Sequence, residues 1–299
     1  MGTERAVKPV AFPRTDRQIL ADDGDAMTFC STCAFSQACL DEGMDKRSLM
    51  DLHVLVEHVG PLREGEHVFR EGDPFDAIAA VRAGTVKTYV VDRDGREHVL
   101  GFHLPGEVIG LDAIDGDHYP CNAVALDTVM LCRFSFPKIA VLAQQVPGLQ
   151  RQLFRLLSRD IGRAALLAGD WSADQRMAAF LVGLSRRLAA RGFSPNRFQL
   201  TMPRTDIANY LRLAPETVSR VLRRFQQEGI VRVDRRELEV GDRAALEALA
   251  APILAEDRAK RWVADCPGER QHRRITNQST GTAWSESLTV LLRAVHPIS

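Results

Sequence analysis

Three of the six cysteines in this 299-residue sequence fall within ten positions, as Cys30-x2-Cys33-x5-Cys39. Thiolates at such spacing are soft ligands, and a fourth would complete a tetrahedral set for Zn or an iron–sulfur cluster. Cys132 and Cys121 both qualify as that fourth ligand, and spacing alone leaves the metal open. Any single cysteine can instead be a small buried apolar residue, which is the default reading for Cys121, and Cys266 reads as an exposed thiol in a tail.

A second group has the chemistry to read nucleic acid. Glu216, Ser219, Arg220 and Arg223 follow one another at i, i+3, i+4 and i+7, which puts them on one stripe of a helix. Arginine can donate two hydrogen bonds to guanine, glutamate can accept from cytosine, and serine can bond to a base or a phosphate. Each good bidentate contact contributes about 1–3 kcal/mol of discrimination between bases. Val218, Val221, Leu222 and Phe225 occupy the opposite face at core spacing. Catalysis finds no such support: the sequence has no glycine-rich phosphate loop, no nucleophile elbow and no His-Glu-x-x-His pair, and its eight histidines are scattered. That weighs against an iron–sulfur enzyme or electron carrier.

The elements that must position these residues follow from periodicity. Residues 1–44 read as an arm carrying the cysteine cluster, and residues 45–60 as a short amphipathic helix within a region 45–145. From Pro61 short apolar runs alternate with glycine turns, which implies an antiparallel β-roll or jelly roll to about residue 138. Asp94-Gly95, between residues 85–92 and 97–103, signals a tight hairpin. Leu149, Leu153, Leu156, Leu157 and Ile161 then recur at three- and four-residue spacing over residues 146–170, a long helix whose narrow apolar stripe suits pairing with an identical helix.

Residues 171–248 have the order of a winged helix-turn-helix. A helix over 172–192 is closed by Gly192. A short helix is signalled by Thr205-Asp206, and Leu213-Ala214-Pro215 makes a turn into a helix stopped by Gly229. Residues 230–233 and 237–240 flank the basic tip Asp234-Arg235-Arg236. Residues 249–299 read as a poorly ordered extension, coherence being lost past about residue 245. The fold class is therefore α+β.

Lysine plus arginine equals aspartate plus glutamate, at 39 each, so global charge points to no partner. Residues 201–237, however, hold eight arginines against five acidic residues, a mild basic bias. With no secretory h-region and no run of about 18 apolar residues, the expected location is the cytoplasm and no membrane partner is expected. In that reducing compartment clustered cysteines read as metal ligands or redox centres, not disulfides.

Taken in order, these residues resemble the FNR-type oxygen-responsive regulators of the cyclic-AMP receptor protein family. The likeness runs over residues 30–245. It includes the cysteine cluster, Gly101-Phe-His-Leu, Gly106-Glu-Val-Ile-Gly-Leu-Asp-Ala-Ile, Cys132 after Val129-Met-Leu, Leu184-Ser-Arg-Arg, Arg191-Gly-Phe-Ser-Pro, Asp206-Ile-x-Asn-Tyr-Leu and Glu216-Thr-Val-Ser-Arg220. The resemblance implies a cyclic-nucleotide-binding-like β-roll, a dimerisation helix and a winged helix-turn-helix. It implies that Cys30, Cys33, Cys39 and Cys132 ligate one [4Fe–4S] cluster, with Cys121 a bystander, and that the active homodimer reads an inverted repeat resembling TTGAT…ATCAA through Glu216, Ser219 and Arg220. It also puts the Asp94-Gly95 hairpin in a patch that touches RNA polymerase. Cyclic AMP is not expected, because Cys121-Asn122 stands where nucleotide-binding relatives carry Arg-Ser for the phosphate. The alternative is a regulator of the same fold that uses Zn or a thiol switch.

Overall fold

The computed structural model describes residues 56–254, apart from residue 168 and the side chains of residues 163–167. Eight antiparallel strands come first: β1 (Val56–Leu62), β2 (His67–Phe69), β3 (Ala77–Ala83), β4 (Val86–Val91), β5 (Glu97–His103), β6 (Val108–Ile109), β7 (Asn122–Ala125) and β8 (Val129–Ser135). They form two four-stranded sheets, ordered β1-β8-β3-β6 and β2-β7-β4-β5. One core contains Val68, Phe69, Val81, Val86, Tyr119, Ala123, Val129 and Leu131, drawn from both sheets.

The run Ala-Ile-Ala-Ala-Val in β3 is buried at every position, whereas a half-exposed strand would alternate. The reason is a second apolar layer. α1 (Phe136–Gln145) and α2 (Pro147–Leu167) send Ile139, Leu142, Leu149 and Leu156 against Ile78, Ala80 and Phe134. Each strand of this sheet thus has an apolar partner on both faces.

Several sequence expectations change here. Residues 56–60 belong to β1 and pair with β8, so the helix expected over 45–60 does not extend through them, and its residues 45–55 lie outside the described part. Two valines and a following proline favour an extended chain, and pairing with β8 overrides the three- and four-residue spacing. The hairpin signalled by Asp94-Gly95 forms, but its loop spans residues 92–96. The Asp92 carboxylate accepts the amides of Asp94 and Arg96 at 2.9 Å each, and Gly95 takes a φ of 78°.

The second half begins with α3 (Ala173–Ala189), opened by a reciprocal cap between Ser172 and Gln175. β9 (Arg197–Gln199), α4 (Arg204–Leu211), α5 (Pro215–Gln227), β10 (Val231–Asp234), β11 (Glu237–Val240) and α6 (Arg243–Ala250) follow. The three strands form a sheet ordered β10-β11-β9. Pro203, not Thr205, is the N-cap of α4, and Asp206 is drawn into an ion pair instead. The loss of coherence expected past residue 245 is corrected by α6. Asp242 caps it by accepting the Ala245 amide at 2.9 Å, and Leu246, Ala250 and Ile253 are buried, so residues 249–253 belong to this domain. Residues 255–299 lie outside the described part. No described helix is long and apolar enough to cross a membrane.

Candidate DNA-reading surface and cysteine site

Helices α4 and α5 are joined at Arg212, whose left-handed backbone (φ 55°, ψ 48°) closes α4. Ile207, Ala208 and Leu211 of α4, and Val218, Val221, Leu222 and Phe225 of α5, are buried. That leaves Glu216, Ser219, Arg220 and Arg223 exposed, the stripe expected from the spacing. Ser219 donates to the Pro215 carbonyl at 3.1 Å, and Arg220 reaches the Glu216 carbonyl at 3.4 Å, so both rest on their own helix. Arg224, next to the stripe, is ion-paired to Asp174 of α3. β10 and β11 pair in register from Val231↔Val240 to Asp234↔Glu237, and the wing tip is the exposed pair Arg235-Arg236.

Cys132 lies on β8 between His58 of β1 and Ala80 of β3. It is half-buried, and its Sγ is 3.7 Å from His58 Nδ1. Burial pushes the thiol pKa up against a smaller opposing pull from Arg82. A sulfur in that state binds metal by exchanging its proton for the ion. It fits one place in a thiolate set: a soft ligand, partly accessible, on the strand beside the first described residues. Cys30, Cys33 and Cys39 lie outside the described residues, and among the described residues no cluster of three or more His, Cys, Asp or Glu could hold a metal ion. Cys132 also packs against the layer that contains Leu149 and Leu156 of α2.

Cys121 is different. It is fully buried, donates to Asp112 Oδ2 at 3.2 Å, and has its pKa pushed far up by burial first, then by the charge and hydrogen bond of Asp112. It serves as a small core residue beside Tyr119 and Ala123. Tyr119 stacks on Phe69 with ring centroids 4.0 Å apart and donates its hydroxyl to the Ala77 carbonyl at 2.5 Å.

Of the five residues assigned to a dimer seam, Leu149 (0% exposed) and Leu156 (9%) are committed to the apolar layer on the β-roll, and Leu153 and Leu157 pack partly against it. That corrects the assignment of Leu149 and Leu156. The one stripe in the sequence covers two functions: the leucines hold the helix to its own sheet, and Ile161 (72% exposed) points away. Phe154 (61% exposed), seven residues earlier, escaped the sequence reading.

The contacts that hold the two halves of the chain together were also missed. Asn209 of α4 accepts the Val99 amide at 2.8 Å and donates to the Glu97 carbonyl at 2.6 Å. Lys87 of β4 pairs with Glu97 at 2.9 Å and with Asp206 of α4 at 3.1 Å. Glu107 is buried and accepts from Arg187 of α3 at 2.8 and 2.5 Å, with Arg191 at 3.6 Å. Phe102, Phe180 and Tyr210 form an aromatic trio across the same junction, with centroid separations of 5.4–6.1 Å. Only distant pairing identifies these residues, and no local motif signals it.

Comparison with known proteins gives a consistent result. Residues 60–145 match the family model described as a cyclic nucleotide-binding domain, and residues 175–249 match the one described as a Crp-like helix-turn-helix domain. The chain is 43% identical over 228 residues to the transcriptional activator protein anr of Pseudomonas aeruginosa, covering 75% of this chain and 93% of that protein. It is 39% identical over 230 residues to the fumarate and nitrate reduction regulatory protein of Escherichia coli, covering 76% and 92%. Among solved structures, FixK2 from Bradyrhizobium japonicum superposes with a TM-score of 0.59 at 29% identity, covering 65% of this chain and 96% of that one. A CRP-family transcriptional regulator from Thermus thermophilus has the same fold, with a TM-score of 0.53 at 23% identity and the same coverage.

Proposed function

Because this chain belongs to the FNR-type family of DNA-binding transcription regulators, we propose that it is an oxygen-responsive activator in which Cys30, Cys33, Cys39 and Cys132 hold a [4Fe–4S] cluster. When bound, the cluster supplies an oxygen-labile inorganic core to which all four thiolates are tied. Cys132 draws the N-terminal segment to β8. Its place in the apolar layer that roots α2 is the observation that carries this reading, because a change at its sulfur bears on the packing of Leu149 and Leu156.

Phe154 and Ile161, seven residues apart on the outer face of α2, are the residues through which two chains pair. A homodimer would set the two α5 helices about one DNA turn apart, roughly 34–36 Å, to read a palindrome resembling TTGAT…ATCAA through Glu216, Ser219, Arg220 and Arg223. Moving the population from almost all monomer to almost all dimer requires about 5.5 kcal/mol of differential stability, a demand that one loosened ligand and its neighbouring core can meet only together. The hairpin at residues 92–96 is the surface offered to RNA polymerase in the cytoplasm. With Cys121 buried in place of a phosphate-binding arginine, no response to cyclic AMP is expected.

The test is an anaerobic preparation of the full chain and of Cys132→Ala. The reading expects a brown parent protein with about four irons and four acid-labile sulfides per chain, and a variant that loses both the chromophore and most of its dimer. A colourless parent with bound Zn would move the assignment to a structural-metal regulator of the same fold. Unchanged dimerisation of the variant would end the coupling model.

A further inference from the structure

Among the described strands, β1 ends the sheet ordered β1-β8-β3-β6, so a single strand separates Cys132 on β8 from the sheet edge. The register sets His58 of β1 directly opposite Cys132, as it sets Val56 opposite Phe134. Alternate residues of a strand share a face, so Val56 and His58 stand on the same side of the sheet. Phe134 is part of the apolar layer that contains Leu149 and Leu156, and Val56 and Cys132 pack against it, which puts His58 at its rim. There His58 is exposed, Cys132 is half-buried, and Nδ1 lies 3.7 Å from Sγ. No other side chain among the described residues is hydrogen-bonded to that sulfur.

The direction of this contact depends on the state of the sulfur. A thiol can give its hydrogen to Nδ1, whereas a thiolate bound to metal has only lone pairs and can only accept. In the loaded protein the pair therefore holds with the hydrogen on Nδ1, donated toward Sγ. Hydrogen bonds from outside the ligand set are how a protein tunes a metal centre. An N–H···S bond draws electron density from the thiolate, favours the more electron-rich state of a cluster, and so raises its reduction potential.

We propose that His58 donates a hydrogen bond from Nδ1 to the Cys132 sulfur of the cluster-loaded protein and thereby slows the loss of the cluster to oxygen. His58 acts through Cys132 and is a positioning residue, not a ligand, since four cysteines already fill the set. Oxidation by dioxygen takes one electron from the cluster and passes it to dioxygen, giving superoxide, and the donated hydrogen bond opposes that removal. The inference rests on the cluster assigned above to Cys30, Cys33, Cys39 and Cys132.

The experiment uses the full-length protein, prepared without oxygen, and the variants His58→Ala, His58→Phe and His58→Asn. Phenylalanine keeps a ring and removes the donor, whereas asparagine has an amide N–H on Cγ, where histidine has Nδ1. Iron, acid-labile sulfide, midpoint potential and the rate of bleaching in air-saturated buffer are measured for each. All four proteins should hold the same iron and sulfide. The alanine and phenylalanine variants should bleach about ten-fold faster than the parent. Their midpoint potentials should be lower by about 59 mV, the one-electron equivalent of that factor. His58→Asn should stay close to the parent in both measurements. Equal bleaching and equal potentials in all four proteins, or an asparagine variant that behaves as the alanine one does, would overturn the inference. So would loss of iron from the variants before any exposure to air, which would make His58 a ligand. A parent without iron and sulfide would end the cluster reading itself and this inference with it, an outcome distinct from a loaded parent whose variants match it.

Discussion

Two cysteines eleven residues apart, on neighbouring parts of one β-roll, have different fates because of their surroundings. Cys121 has no exposed surface and shares its proton with Asp112, whereas Cys132 is half-buried on a strand flanked by His58. In cluster-free protein at pH 8, iodoacetamide should therefore modify Cys132 within the native state and Cys121 only after unfolding, as peptide mass mapping would register. Equal rates at the two would contradict the packing described. The sequence offered both as the fourth ligand, and only the likeness to known regulators chose between them, because burial depends on which strands meet. Glu107 makes the same point for charge. Its carboxylate is buried, accepts the Leu104 amide at 3.0 Å, and faces Arg187. Burial alone would lower the Arg187 pKa, but the Glu107 charge and hydrogen bonds hold it raised. Glu107→Gln should cost about 3 kcal/mol in urea unfolding, by leaving that guanidinium without its counter-charge. A loss under about 1 kcal/mol would mean that water reaches the pair.

At the scale of elements, α2 shows what a hydrophobic period can and cannot convey. Spacing identified a long apolar helix at residues 146–170, and Pro147–Leu167 is one. Spacing could not tell a stripe facing the helix's own sheet from a stripe facing a second chain, since both repeat every three or four residues. The two faces make opposite predictions. Leu149→Ala removes a fully buried side chain and should lower folding stability by about 2–5 kcal/mol in denaturant titrations of the isolated chain. Ile161→Glu should leave that stability within about 0.5 kcal/mol and abolish the dimer in sedimentation runs at any cluster content. A dimer that survives Ile161→Glu would put the seam elsewhere. The reading helix was more legible. Its charged stripe, its proline start and its glycine stop all follow from local chemistry, and α5 is bounded as that chemistry requires. α1 and α6 were missed. α1 carries Pro137 at its start, and both are short helices whose apolar residues make sense only against a surface the sequence does not display.

Across the whole molecule, the β-roll and the DNA-reading half are joined directly at β4 and β5. β5 is the edge strand of its sheet, which leaves backbone groups open on one side. Asn209, from the first helix of the DNA-reading pair, occupies two of them as a neighbouring strand would, while Lys87 reaches from β4 to Asp206 on the same helix. The β4–β5 hairpin and α4 are thus tied by two hydrogen bonds and an ion pair. The Lys87 ammonium has a definite pH signature. Burial lowers its pKa, but hydrogen bonds and charge from Glu97 and Asp206 outweigh burial and raise it above 10.5. Its contribution is therefore complete below about pH 10.5 and is lost as pH rises through the higher folded-state value. Lys87→Met should remove that part of the alkaline loss. Asn209→Ala isolates the backbone clamp itself. It leaves the Val99 amide without its acceptor and should cost about 1–3 kcal/mol. Amide exchange at Val99 should accelerate accordingly, and the two halves should begin to unfold as separate transitions while Val86 in the core stays protected. If Val99 exchanges at the parent rate and unfolding remains a single transition, Asn209 is not what holds the halves together, and the Lys87–Asp206 pair, Glu107 and the aromatic trio carry that role.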